Sequence, residues 1–242
     1  MAVETVKGGV AMGGSTSSAI EIDAGHHWVV GFLGMQFNMD TLIMTWITMA
    51  IVIFLAWLAT RKRSLVPHGW QNIMEMMLDW LQGQMKPTLG RYWPVVSGLL
   101  FTYFIFLLVA NMLGLLPIHH IMSPTSDLNT TAGLAIFSTI LVWAIGIHAN
   151  GMGFFKEFFK PYAPFVIVNL LEQVTRPLTL AFRLFGNILA GEIMLAVLNH
   201  LAPVLAPSVW IAFSILIGLI QAFVFTILVT SYLGLTIDSG EE

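Results

Sequence analysis

Five apolar runs, each about twenty residues or longer, divide this chain, and they begin near Thr41, Val95, Thr131, Pro164 and Val204. A bilayer core of about 30 Å is crossed by about 20 such residues in a helix. With 57% hydrophobic and only 10% charged residues in 242, the chain has no room for a separate soluble domain, and it reads as a polytopic membrane protein. Cysteine is absent, which excludes disulfides, thiolate metal sites and cysteine nucleophiles.

Between these runs the charges sort to one side. Arg61, Lys62, Arg63, Lys86, Arg91, Lys156 and Lys160 fall in alternate connections, whereas the connections near 117–130 and 199–207 carry neither lysine nor arginine. Basic residues are retained on the cytoplasmic face, so the N-terminus is expected outside and the C-terminus inside. Residues 1–27 are rich in glycine and serine and lack the basic start and apolar core of a signal peptide. The expected organisation is an outer tail (1–40), a first transmembrane helix with a basic stop (41–63), an amphipathic helix and its connection (64–93), a transmembrane hairpin (94–160), and two long helices with a short acidic tail (161–242).

The segment Pro67–Lys86 departs from the apolar pattern. His68, Asn72, Glu75, Asp79, Gln82 and Lys86 recur at three- and four-residue intervals, while Trp70, Ile73, Met74, Met77, Trp80 and Leu81 fill the remaining surface. This describes a helix lying along the membrane face, or one packed on soluble partner subunits. The expected fold class is therefore an all-α integral membrane protein with five transmembrane helices plus one amphipathic interfacial helix. The first span is read with Asp40 as its cap and the third as running to Phe155, where Lys156, Glu157 and Lys160 end it. The last two runs would extend about 55 and 50 Å at 1.5 Å per residue, so they are expected to tilt strongly, protrude, or kink at Pro177.

Arg183 stands inside Pro177–Pro203, a stretch whose only other formal charge is Glu192. An arginine at a bilayer centre costs about 2.5–3.5 kcal/mol on insertion scales and cannot shed its proton, which points to an ion path. At 100° per residue, Glu172, Arg176, Thr179 and Asn187 project within about 40° of Arg183, forming one polar stripe. Glu192 falls on the opposite side and about 13.5 Å further along the axis, too far for direct pairing. On the last helix Ser214, Gly218 and Gln221 share a face. This placement lets Gln221 approach Arg183 while Ser214 lies nearer Glu192, with Gly186, Ala190 and Gly191 allowing close backbones. Each has a plainer reading. Asn187 and Gln221 serve as interhelical hydrogen-bonding residues, Arg176 as a snorkelling or lipid-facing cation, and His119, His120 and His148 as loop or boundary residues without a paired acidic cluster.

The run TRPLTLAFRLFGNILAGE, followed about thirty residues later by SILIGLIQAFVFTILVTSYL, resembles the proton-channel subunit a of the F-type ATP synthase, and NMLGLLP and SPTSDLNTTAGLA fit the same family. The resemblance covers about Gln36 to Leu235. It implies that Arg183 is the stator arginine, Asn187 the polar residue one turn on, Glu192 the carboxylate of the outer access path, Gln221 the glutamine facing the arginine, and Glu172 an acid near the cytoplasmic exit. Some relatives carry histidine at Ser214 and aspartate at Gly114, so the outer lining departs here. The implied partners are a c-subunit ring, b-type peripheral stalk subunits, other ATP synthase subunits and the lipid bilayer, with no nucleic acid and no cofactor. The implied location is a bacterial plasma membrane.

Other classes fit less well. A secondary transporter or channel acting alone would show repeated halves, and none is found. A hydrolase built on Ser214 and His200 has no Gly-x-Ser-x-Gly or HExxH around it. No GxxxxGK[ST] is present, so nucleotide chemistry would belong to other subunits.

Overall fold

The computed structural model describes residues 29–32, 35–61, 64, 67–115, 124–151, 166–201 and 205–238. The tail 1–27, Lys62, Arg63, His119, His120, Lys156, Lys160, Pro161 and Pro164 lie outside the described residues. Among the described residues, six α-helices follow a short antiparallel hairpin of β1 (Val29–Phe32) and β2 (Met35–Asn38). They are α1 (Met39–Thr60), α2 (Trp70–Leu89), α3 (Trp93–Gly114), α4 (Leu128–Asn150), α5 (Val166–Leu201) and α6 (Leu205–Asp238). Among the described residues, five helical stretches are long and apolar enough to cross a membrane, with α2 and α3 running on as one through a 3-10 turn at Gly90–Tyr92.

The hairpin falls within what the sequence suggests is a tail, because its strands are short and mostly lack the alternation that marks a half-buried strand. Asn38, not Asp40, stands at the N-cap of α1, and Asp40 lies inside the first turn. The Asn38 side chain donates from Nδ2 to Asp127 Oδ2 (2.6 Å), while Asp127 Oδ1 accepts from the Asn129 backbone N–H (2.9 Å) and caps α4. One carboxylate therefore starts one helix and ties down the start of another. At its far end α4 stops at Asn150 rather than Phe155, because Gly151 takes φ +55° and its N–H returns to the Ile147 carbonyl.

Helix α6, in contact with α2, α3, α4 and α5, is the centre of the bundle. Against it lies α3, with Val96, Leu100, Phe104, Leu107, Ala110 and Asn111 all buried. Helix α1 leans on it through Thr41, Met44 and Thr48, a stripe at helical spacing, and exposes Leu42, Trp46, Ile53 and Phe54. Helix α2 divides its apolar surface. Leu81, Met85 and Leu89 turn into the core, and Trp80 lies tilted against Phe223 (4.7 Å between ring centroids), while Trp70, Ile73 and Met76 stay exposed. Large exposed apolar side chains on every span are what lipid requires of a surface, and they identify a multi-pass membrane protein.

In lipid the association of helices rests on packing and hydrogen bonds rather than on expulsion of water. Accordingly, Gly218 of α6 lies against the Asn111 side chain, and a Cβ at Gly234 would overlap the Thr88 side chain. The buried hydroxyls of Thr226 and Thr230 donate to carbonyls four residues back in their own helix. Helices α5 and α6 contain 36 and 34 residues, and α5 continues unbroken through Pro177.

Candidate functional site

Where α3, α5 and α6 meet, a cavity of about 120 Å³ opens among Asn111, Asn187, Glu192, Trp210, Ser214 and Gly218. Three residues that the sequence singles out, Asn187, Glu192 and Ser214, are thus brought together, although Asn187 and Glu192 project from well-separated directions of an ideal helix. They share the space because Glu192 is half-buried at the joint with α6 rather than facing away from it. Among the described residues the Glu192 carboxyl has no hydrogen-bond or ion-pair partner within the chain. A hole of this size, with polar groups on its wall, has room for several waters.

Asn111 is the residue that the sequence reading misses. It is fully buried, donates from Nδ2 to the Gly218 carbonyl (3.0 Å), and leaves its Oδ1 without a partner on the cavity side of α3. A buried acceptor without a donor is costly, so this oxygen favours water in the adjoining space. The available signal was an amide inside the otherwise apolar run FIFLLVANMLGLL.

Arg183 lies midway along α5, about 26 Å from either end at 1.5 Å per residue, on the surface of the bundle. Among the described residues it makes no hydrogen bond or ion pair, and the neighbouring Phe182 and Leu178 are exposed as well. Gln221 is 8% exposed on α6 with its Nε2 unpartnered, and no hydrogen bond joins it to Arg183. The stripe on α5 therefore does not close on itself. Its cation faces out, and its amide neighbour on α6 faces in.

Towards the N-terminal end of α5, Arg176 Nη2 donates to Glu172 Oε1 (2.6 Å), with Nε at 3.2 Å from the same oxygen. The guanidinium lies 4.9 Å from the Tyr232 ring centroid and its side chain is 16% exposed, against 55% for Glu172. Arg176 is thus not lipid-facing. A planar cation between a carboxylate and an aromatic face is better satisfied inside the bundle than in lipid. Gly186 and Gly191 do not sit at a close backbone crossing, since a Cβ on either would meet nothing within 4 Å. Instead the Gly191 carbonyl accepts a bond from Trp210 Nε1 (3.2 Å). Among the described residues no group of three or more histidine, aspartate or glutamate side chains is placed to hold a metal ion.

Comparison with known proteins assigns the chain to a family. The family model described as ATP synthase A chain matches residues 42–234, from the start of α1 to the end of α6. The ATP synthase subunit a of Desulforamulus reducens is 42% identical over 211 residues, covering 83% of this chain and 80% of that protein. That of Gloeobacter violaceus is 37% identical over 237 residues, covering 93% and 94%. With the match extending through every spanning helix and through the polar residues of α5 and α6, the chain belongs to the ATP synthase A chain family.

Proposed function

We propose that this chain is the proton-translocating stator subunit of a rotary ATP synthase in a bacterial plasma membrane. It offers two offset half-channels to the carboxylates of a c-subunit ring, with Arg183 keeping them apart. The observation that carries this reading is the position of Arg183: midway along a membrane helix, exposed on an apolar face, and without a partner in its own chain among the described residues. A permanent cation left open at that depth calls for an anion presented by another chain.

The cavity beside Glu192 supports the first half-channel. A proton entering there passes Ser214, Asn187 and the Asn111 oxygen and neutralises a ring carboxylate, which then tolerates contact with lipid. After rotation the carboxyl meets the second half-channel, loses its proton on the Glu172 side, and is drawn as an anion to Arg183. Because arginine has donors but no acceptor and does not deprotonate, Arg183 also stops protons from passing directly between the two paths. Gln221, buried on α6 with its Nε2 unpartnered, would supply a polar group to this path.

Strong tilt of α5 and α6 would let their exposed apolar flank follow a curved ring. The exposed side of α2 and the apolar face of α1 are left for b-type stalk subunits and lipid. The deciding experiment is ATP-driven proton pumping by membranes carrying Arg183→Ala in the assembled complex. Lost coupling with a passive proton leak is expected, and normal coupled pumping would overturn the reading.

A further inference from the structure

We propose that Trp210 is a positioning residue, a latch that ties the Glu192 turn of α5 to α6 and so limits how far the cavity beside Glu192 opens. The inference rests on the reading of that cavity as the outer ion path only for its functional consequence; the latch itself stands on geometry. At Gly191 the two helices do not touch, because a Cβ built there would meet nothing within 4 Å. The gap is spanned by the Trp210 indole, whose Nε1 donates to the Gly191 carbonyl at 3.2 Å. That carbonyl belongs to the residue immediately before Glu192, and Gly191, Glu192, Leu195 and Trp210 all line the same cavity.

An indole N–H is a donor with no acceptor function, and in a membrane interior it has few alternatives to a protein carbonyl. A carbonyl has two lone pairs, so Gly191 accepts this bond in addition to any made within the helix. Phe213, one turn further along α6, lies against the indole with ring centroids 5.7 Å apart and holds its orientation. Bulk and hydrogen bond are thus separable: phenylalanine at 210 keeps an aromatic body against Phe213 and lacks the N–H.

The chain contains no cysteine, which allows a single reporter thiol. In the assembled ATP synthase, Leu195→Cys places that thiol on the cavity wall, and its rate of modification by a sulfonated, membrane-impermeant methanethiosulfonate reports the opening. Trp210→Phe is expected to raise this rate about three- to tenfold, the range that a lost hydrogen bond is worth, and Trp210→Leu at least as much. A control thiol at Asn129, exposed at the start of α4 on the same proposed outer face, should be unaffected in both. Rates within twofold of the parent in both variants would overturn the latch. So would an increase in Trp210→Leu alone, since bulk rather than the N–H would then be responsible. Proton flux separates this proposal from the reading beneath it. If Trp210→Phe opens the cavity while neither it nor Glu192→Gln changes flux, the latch stands and the ion path lies elsewhere. If Glu192→Gln slows flux but labelling ignores Trp210, only the latch fails.

Discussion

Asn111 and Glu192 line one cavity, where the amide oxygen lacks a donor and the carboxyl lacks any partner in the chain among the described residues. Replacing Glu192 with glutamine keeps size and polarity but removes the exchangeable acid. Proton flux through the assembled complex should fall about tenfold or more without the leak expected of Arg183→Ala, a contrast read by ATP-driven acidification and passive decay. Asn111→Leu removes both the bond to the Gly218 carbonyl and the unpartnered buried oxygen. The expected result is a modest loss of stability, about 0.5–1.5 kcal/mol for the bond, together with slower flux. Asn111→Asp, which restores a polar wall, should recover flux better than leucine; equal flux in both would show that the wall does not matter.

Two contacts fix how whole helices sit. A methyl group added at Gly234 has nowhere to go, because the stiff, β-branched Thr88 side chain of α2 occupies its place. Gly234→Ala should lower thermal stability in detergent by about 1–3 kcal/mol, with partial recovery in the double variant carrying Thr88→Ala. By contrast, Gly186→Ala should not destabilise the isolated chain, since its Cβ meets open space and alanine is the better helix former by about 1 kcal/mol. If a ring of partner helices closes over that surface, the same change should weaken assembly, which native electrophoresis of the complex would register. Asp127→Ala removes the cap of α4 and the tie to Asn38 together and should cost about 1–2 kcal/mol in the same melting assay.

For the molecule as a whole, the proposed orientation places the α1–α2 connection inside and the start of α4 outside. In the naturally cysteine-free chain, Ser64→Cys should react with an impermeant thiol reagent only from the cytoplasmic face and Asn129→Cys only from the opposite one. The reverse pattern would exchange the two half-channels. The number of spans, their order and the polar stripe on α5 were all legible in the sequence, because a bilayer imposes a length and a polarity on each helix independently of its neighbours. The caps at Asn38 and Asp127, the early stop at Gly151 and the hairpin before α1 were not, since they depend on single hydrogen bonds and backbone angles. Nor could periodicity say that Arg176 turns inward to Glu172 and Tyr232 while Arg183, seven residues on along the same stripe, faces out. An ideal helix gives each side chain a direction but not a neighbour. What the residues determined alone was which helices cross the membrane and which charges they carry. The packing of α3, α5 and α6 decided that Asn111 joins Asn187, Glu192 and Ser214 around one cavity, because that grouping depends on how three surfaces meet.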